Sequence, residues 1–184
     1  LAKQTQRTWF FVYFFANKKV KAPRGWSGML MRIIISININ LSFEQLYNGL
    51  EGDSATCAEM VAIFSDLFNV PVRQYLAITG SMNQKGEVQA IGGVNEKIEG
   101  FYNACKVLGF NEKQGVVIPE SNARDLMLSE EVIEALKQGK FHIYTVNNLY
   151  EVLELMLGIN KTQFDNEISK YEELVKEENK EEDR

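Results

Sequence analysis

Past Pro71, short apolar runs alternate with stretches of helical periodicity, and glycine or proline stops most of them. This alternation limits the fold more than any other feature of the chain. An apolar run bounded by turn residues reads as a buried strand, whereas apolar residues three and four apart mark one face of a helix. On these rules residues 75–79 form a strand, 83–86 a turn and 87–91 a returning strand, together a hairpin. Gly92-Gly93 leads into a helix over 94–108 that Gly109 stops. Residues 115–119 are a short buried strand, and Ser121 or Asn122 caps a short helix after it. Ser129 caps a further helix that runs to Gln138 and closes at Gly139, followed by a strand over 141–146 and a helix over 148–157.

The first half is mostly strand, over 8–16 and 31–43. In the second of these, Ile33, Ile35, Ile37, Ile39 and Leu41 share one face, and Ser36, Asn38, Asn40 and Ser42 the other. A helix over 55–69 carries Ala58, Val61, Ala62, Ser65 and Phe68 at helical spacing and ends before Pro71. Strands first and alternation later favour an α+β domain with a mixed sheet over a doubly wound nucleotide fold. A length of 184 residues suffices for one domain with a proper core and is too short for two large ones. The expected organisation is an N-terminal extension or strand of the same domain over 1–31, the body over 32–158, and a charged, exposed helix fraying into a tail over 159–184.

Composition excludes several functions. Residues 1–50 carry seven Lys or Arg against Glu44 alone, and 161–184 carry nine acids against five bases. A solvated basic edge and an acidic terminal helix explain this better than nucleic-acid binding, since the pI is near 5.1 and no zinc-finger or RNA-reading motif occurs. Cys57 and Cys105 make neither a disulfide framework nor a metal site, which fits a reducing cytoplasm. The apolar run over 9–15 is too short to cross a bilayer, so no membrane association is expected. No G-x-x-x-x-G-K-[ST] occurs, and Gly92-Gly93 lacks the three-glycine dinucleotide fingerprint, so no cofactor is expected in this chain. The chain opens on Leu1 rather than Met, as a processed form or a piece of a larger protein would.

Two segments carry candidate chemistry. In Glu51-Gly52-Asp53-Ser54-Ala55, Gly52 permits a sharp turn that exposes the Ser54 hydroxyl at the amino end of a helix. The uncommitted N–H groups and the dipole of such a helix favour a developing oxyanion. From this segment alone an ordinary helix N-cap is the better reading. A serine nucleophile also needs a base, and the single histidine, His142, lies in an apolar strand-like run where a structural role is favoured. That leaves Lys, Asp or Glu. Lys97, 43 residues beyond Ser54 and flanked by Val94 and Ile98, stands in the first turn of its helix. Desolvation and positive potential there lower an amine's pKa. A surface lysine between Glu96 and Glu99, both on the wet side, is the alternative. A thiol hydrolase built on Cys57 and His142 is disfavoured, because Cys57 lies on the core side of its helix and buried thiols are inert.

Four segments together resemble the proteolytic domain of Lon-type proteases: residues 41–56 (LSFEQLYNGLEGDSAT), 77–81 (AITGS), 85–100 (KGEVQAIGGVNEKIEG) and 115–119 (GVVIP). The likeness covers about 32–158 and is nearest to the branch whose serine sits in Glu-Gly-Asp-Ser rather than Asp-Gly-Pro-Ser. Residues 1–30 match nothing recognised. The resemblance implies an endopeptidase with Ser54 as nucleophile, Lys97 as general base and Thr79 as the hydroxyl that orients the amine. Glu51 and Asp53 match the acidic positions before the serine. Their charge opposes activation of the lysine, so Asp53 is expected to pair with Lys97 in a resting state and to leave it in an active one. The resemblance further implies a homo-hexameric chamber acting on unfolded or damaged proteins. ATP and Mg belong to an ATPase module that this chain does not carry. A non-catalytic module of similar architecture, binding phosphate or RNA, is the alternative.

Overall fold

Two strands come first, β1 (Val12–Ala16) and β2 (Ile39–Phe43), paired antiparallel from Val12 opposite Phe43 to Ala16 opposite Ile39. The computed structural model describes residues 12–16, 39–43 and 52–182. The expected strand residues 8–11 and 31–38, the segment 24–28 with Trp26, and Glu51 lie outside that set. Helix α1 (Thr56–Leu67) follows and ends at Phe68, just before Asn69 takes a φ of 52° and Pro71 forbids continuation. Its buried residues are Cys57, Val61, Ile63 and Phe64; of the expected stripe Ala58, Val61, Ala62, Ser65 and Phe68, Val61 is buried and Phe68 packs partly buried against the core. The larger side chains take the core because they remove more apolar area from water.

The chain then enters β3 (Leu76–Ile78), β4 (Ser81–Met82) and β5 (Val88–Gln89). The hairpin forms, but its first arm is β4, paired from Ser81 opposite Gln89 to Met82 opposite Val88, and not residues 75–79. β3 belongs to a different, parallel sheet, because the chain bends at Thr79-Gly80 and leaves one sheet for the other. Helix α2 (Val94–Leu108) has the expected bounds, with Gly109 at its C-cap.

Strand β6 (Gly115–Pro119) precedes a 3-10 helix over Glu120–Asp125. Pro119 occupies the cap position of that helix, so neither Ser121 nor Asn122 caps it. Helix α3 (Glu130–Lys137), strand β7 (His142–Val146) and helix α4 (Leu149–Leu157) follow. Ser129 stands at the α3 cap position without a side-chain bond, whereas the Asn148 side chain accepts the Glu151 N–H at the start of α4. The last element is α5 (Lys161–Glu182). It is not simply an exposed helix: Phe164 and Ile168, one turn apart, are buried, and the Tyr171 hydroxyl donates to the Leu67 carbonyl at the end of α1.

The chain is thus an α+β domain with both parallel and antiparallel strand pairing. The parallel sheet runs β3-β6-β7, with Val116 opposite both Ala77 and Ile143. Successive residues of β6 point to opposite faces, and helices cover both. Val117 faces α1, α4 and α5 through Cys57, Phe64, Val152, Leu153 and Phe164. Val116 and Ile118 face α2 and α3 through Ile98, Tyr102 and Val132, with Phe141 of the turn before β7 in the same cluster. No helix among the described residues is long and apolar enough to cross a membrane.

Candidate active site

The turn before α1 is built on Gly52, whose φ of 98° belongs to the left-handed region that glycine adopts without a Cβ penalty. Both the N–H and the hydroxyl of Thr56 donate to the Asp53 carbonyl, at 3.1 and 2.7 Å, and close the turn. Ser54 does not cap the helix. Ala55 holds the cap position with no side-chain bond. The Ser54 carbonyl instead accepts the Gly80 N–H at 2.9 Å and the Thr79 hydroxyl at 3.2 Å, and the Gly80 carbonyl accepts the Cys57 N–H at 3.0 Å. The serine's backbone is therefore clamped to the bend that joins β3 to β4. Gly80 has to be glycine for this approach, because a Cβ would lie 2.9 Å from the Cys57 sulfur. The same bonds commit the Thr56 and Cys57 N–H groups of α1, so the first helical turn is not the open set of donors that the sequence suggested.

Lys97 arrives from the other face of the sheet. Its N–H donates to the Gly93 carbonyl at 3.1 Å, which places the side chain in the first turn of α2. That start is anchored to the 3-10 segment. The buried Asn122 side chain accepts the Ile91 N–H at 2.9 Å and donates to the Ile91 carbonyl at 3.0 Å, as a neighbouring strand would. The Asn95 side chain accepts the Met127 N–H at 2.9 Å. Val94 and Ile98 are buried on either side of the lysine. Glu96 is exposed, as expected, and Glu99 is half-buried and accepts the Ser129 N–H at 2.9 Å.

The two helix starts meet at the carboxyl end of β3, the side of a parallel sheet where binding sites of open α/β sheets gather. Lys97 Nζ donates to Ser54 Oγ at 2.8 Å and to Thr79 Oγ1 at 3.2 Å. Burial holds the Lys97 amine below the ordinary lysine range. Thr79 is itself 8% exposed, and its N–H donates to the Val117 carbonyl at 3.1 Å, so its hydroxyl is presented by the sheet. The Asp53 carboxylate is turned to Ser81, whose hydroxyl donates to Oδ2 at 2.6 Å. Ser54, Lys97, Thr79, Asp53 and Gly52 are thus brought to one place, and Glu51 lies outside the described residues.

His142 and Cys57 take no part in this group. The His142 Nε2 lies 2.9 Å from the Glu112 carbonyl, in the loop before β6. Cys57 is fully buried and its thiol is pushed up to about 12, so the thiolate that a thiol hydrolase needs is suppressed. Two residues at the site escaped sequence reasoning. Ser81 closes the Ala-Ile-Thr-Gly-Ser segment but was given no role. Asn122 is one of two cap candidates in the sequence, and its contact with Ile91, 31 residues away, has no local signal.

Comparison with known proteins gives the family. The family model of the C-terminal proteolytic domain of Lon protease matches residues 48–159, and the chain belongs to that family, whose activity is that of a peptidase. It is 46% identical over 125 residues to a protein of Escherichia coli strain K12 described as a Lon protease homologue, covering 68% of this chain and 21% of that one. It is 40% identical over 120 residues to the archaeal Lon protease of Thermococcus kodakarensis, covering 65% and 17%. With that of Archaeoglobus fulgidus it shares 36% over 143 residues, covering 78% and 21%. The chain therefore spans about a fifth of the length of the curated relatives it matches. Membership in a peptidase family favours a hydrolase over a phosphate- or RNA-binding module.

Proposed function

We propose that this domain is a serine endopeptidase in which Ser54 is the nucleophile and Lys97 the general base. The observation that carries the reading is the 2.8 Å contact between Lys97 Nζ and Ser54 Oγ in a setting that lowers the amine's pKa. The neutral amine takes the Ser54 proton as Oγ bonds to the scissile carbonyl carbon. Backbone N–H groups near residues 52–54 hold the resulting oxyanion. The Lys97 ammonium then gives its proton to the leaving nitrogen as the C–N bond breaks, which leaves an acyl-enzyme ester. Water attacks that ester, Lys97 accepts its proton, and Ser54 leaves with a proton restored to Oγ. Thr79 keeps the amine aimed at Oγ throughout. The substrate binds as an extended strand and gains backbone hydrogen bonds, with side chains in alternate pockets.

The same reading extends to the assembled protein. Family membership and the relatives' names support the proteolytic part of a Lon-like protease, which this reading takes to be ATP-dependent. Its substrates are unfolded or damaged proteins and its working form is a homo-hexamer in the cytoplasm. ATP and Mg serve an ATPase module outside this chain, and Ser54 and Lys97 need neither.

Ser54→Ala tests the dyad: peptide cleavage falls to background, a loss on the order of 10⁴-fold or more, with the circular dichroism of the fold unchanged. Undiminished cleavage removes the proposal. Because only the neutral amine accepts a proton, activity rises with pH through the Lys97 pKa. Burial lowers that pKa, so the ascending limb of kcat/KM lies below the ordinary lysine range. Covalent labelling of Ser54 by a peptide boronate or a fluorophosphonate, abolished in Lys97→Met, checks the pair independently. Sizing of the particle and ATP-stimulated degradation by the full-length protein test the assembly.

A further inference from the structure

Asp53 raises a problem for a lysine base. It is the residue next to Ser54, and a carboxylate that reached the Lys97 amine would hold the proton on it and remove the base. On the elements around the site the other charged residues are Glu59 and Asp66 on α1, Glu96, Glu99 and Lys106 on α2, Lys85 and Glu87 in the β4–β5 hairpin, and the exposed Glu120, Arg124 and Asp125 of the 3-10 segment. Residues 76–82 bring hydroxyls and no charge. One of those hydroxyls is Ser81, 3% exposed, which donates to Asp53 Oδ2 at 2.6 Å. Its backbone is held in β4 by pairing with Gln89, and its carbonyl lies 3.7 Å from the Cys57 sulfur. The hydroxyl therefore sits at a place determined by the hairpin, not by the turn that carries Asp53.

We infer that Ser81 is a positioning residue that keeps the Asp53 carboxylate off Lys97, so that docking of the β4–β5 hairpin sets whether the base is free. This rests on the reading of Ser54 and Lys97 as a dyad. With the hairpin docked, Asp53 accepts from Ser81, and Lys97 faces the Ser54 and Thr79 hydroxyls. With the Ser81 hydroxyl absent or withdrawn, the carboxylate turns to the ammonium and the lysine stays protonated at neutral pH.

The test is the pH dependence of kcat/KM for peptide cleavage in Ser81→Ala, Ser81→Thr, Asp53→Asn and the Ser81→Ala/Asp53→Asn double variant. Freeing a carboxylate beside the amine moves the ascending limb of Ser81→Ala up by about one pH unit or more, so that its rate near neutrality falls about tenfold and meets that of the unaltered protein at high pH. Ser81→Thr keeps the hydroxyl and keeps the limb in place. The double variant returns the limb to its original position, because no charge remains to pair with the lysine. An unmoved limb in Ser81→Ala, with activity lowered equally at every pH, assigns Ser81 to structure alone and overturns the proposal. Asp53→Asn serves as a check that does not depend on how well Ser81→Ala folds: its limb stays close to the original. A downward move of about one unit or more in Asp53→Asn means that the carboxylate already acts on Lys97 despite Ser81, and also overturns the proposal. Failure of the dyad is read separately, from cleavage that persists in Ser54→Ala.

Discussion

Ser54 and Lys97 each stand at the start of a helix, and the two starts are held by different means. The turn carrying Ser54 is clamped by backbone bonds to Gly80 and by the Thr79 hydroxyl, both within the bend that joins β3 to β4. The start of α2 carrying Lys97 is held by two asparagine side chains that bridge to the 3-10 segment, on the other face of the sheet. The serine is thus located mainly by main chain close at hand, and the lysine by side chains whose partners lie 31 and 32 residues away. The position of Ser54 should be robust to damage in its own helical layer, and that of Lys97 should be sensitive to a single side chain.

The largest effect on stability tests the robust side. Phe164 is buried against Phe64 with ring centroids 5.1 Å apart, and Phe164→Ala should cost about 3–5 kcal/mol in denaturant unfolding. In the fraction that remains folded, kcat should be nearly unchanged, because α5 touches neither clamp. A large fall in kcat there would merge the two halves of the comparison. Asn122→Leu tests the sensitive side. It strips the Ile91 N–H and carbonyl of their partner at a cost of about 1–3 kcal/mol, and here kcat should fall as well because the lysine loses its register. Smallest in stability is Thr79→Val, isosteric and within about 1 kcal/mol of the parent, since it removes one hydroxyl. Its kcat should nonetheless drop about 10- to 100-fold, because the amine loses the contact that aims it at Ser54. If Thr79→Val leaves kcat intact, the Ser54 contact alone orients Lys97.

Local signals carried the elements whose ends are local events. Helix α2 was legible to the residue because an apolar stripe and Gly109 mark it, and β6 because a short apolar run ends at proline. Events that depend on tertiary contact were hidden. The strand residues after Tyr75 do not reveal that the chain changes sheets at Gly80, since that bend is set by the approach of Cys57. Phe164, Ile168 and Tyr171 fall at helical spacing in α5, but the charged composition around them masks that stripe until α1 and α4 are seen beneath Phe164 and Ile168. At the site, Ser54 and Lys97 each had an ordinary reading, and only the four segments taken together singled them out. Ser81 and Asn122 act on residues 28 and 31 positions away, and no spacing rule connects them.

The β6 strand has a consequence for the life of the chain before it is folded. Its alternating side chains divide the core into two halves, one bearing the serine and the other the lysine, and the two groups come together only across the finished sheet. A nascent or half-folded copy therefore carries a hydroxyl and an amine 43 residues apart with no base in reach. On the proposed mechanism such a copy has no activated nucleophile, and completing the fold is the step that arms it.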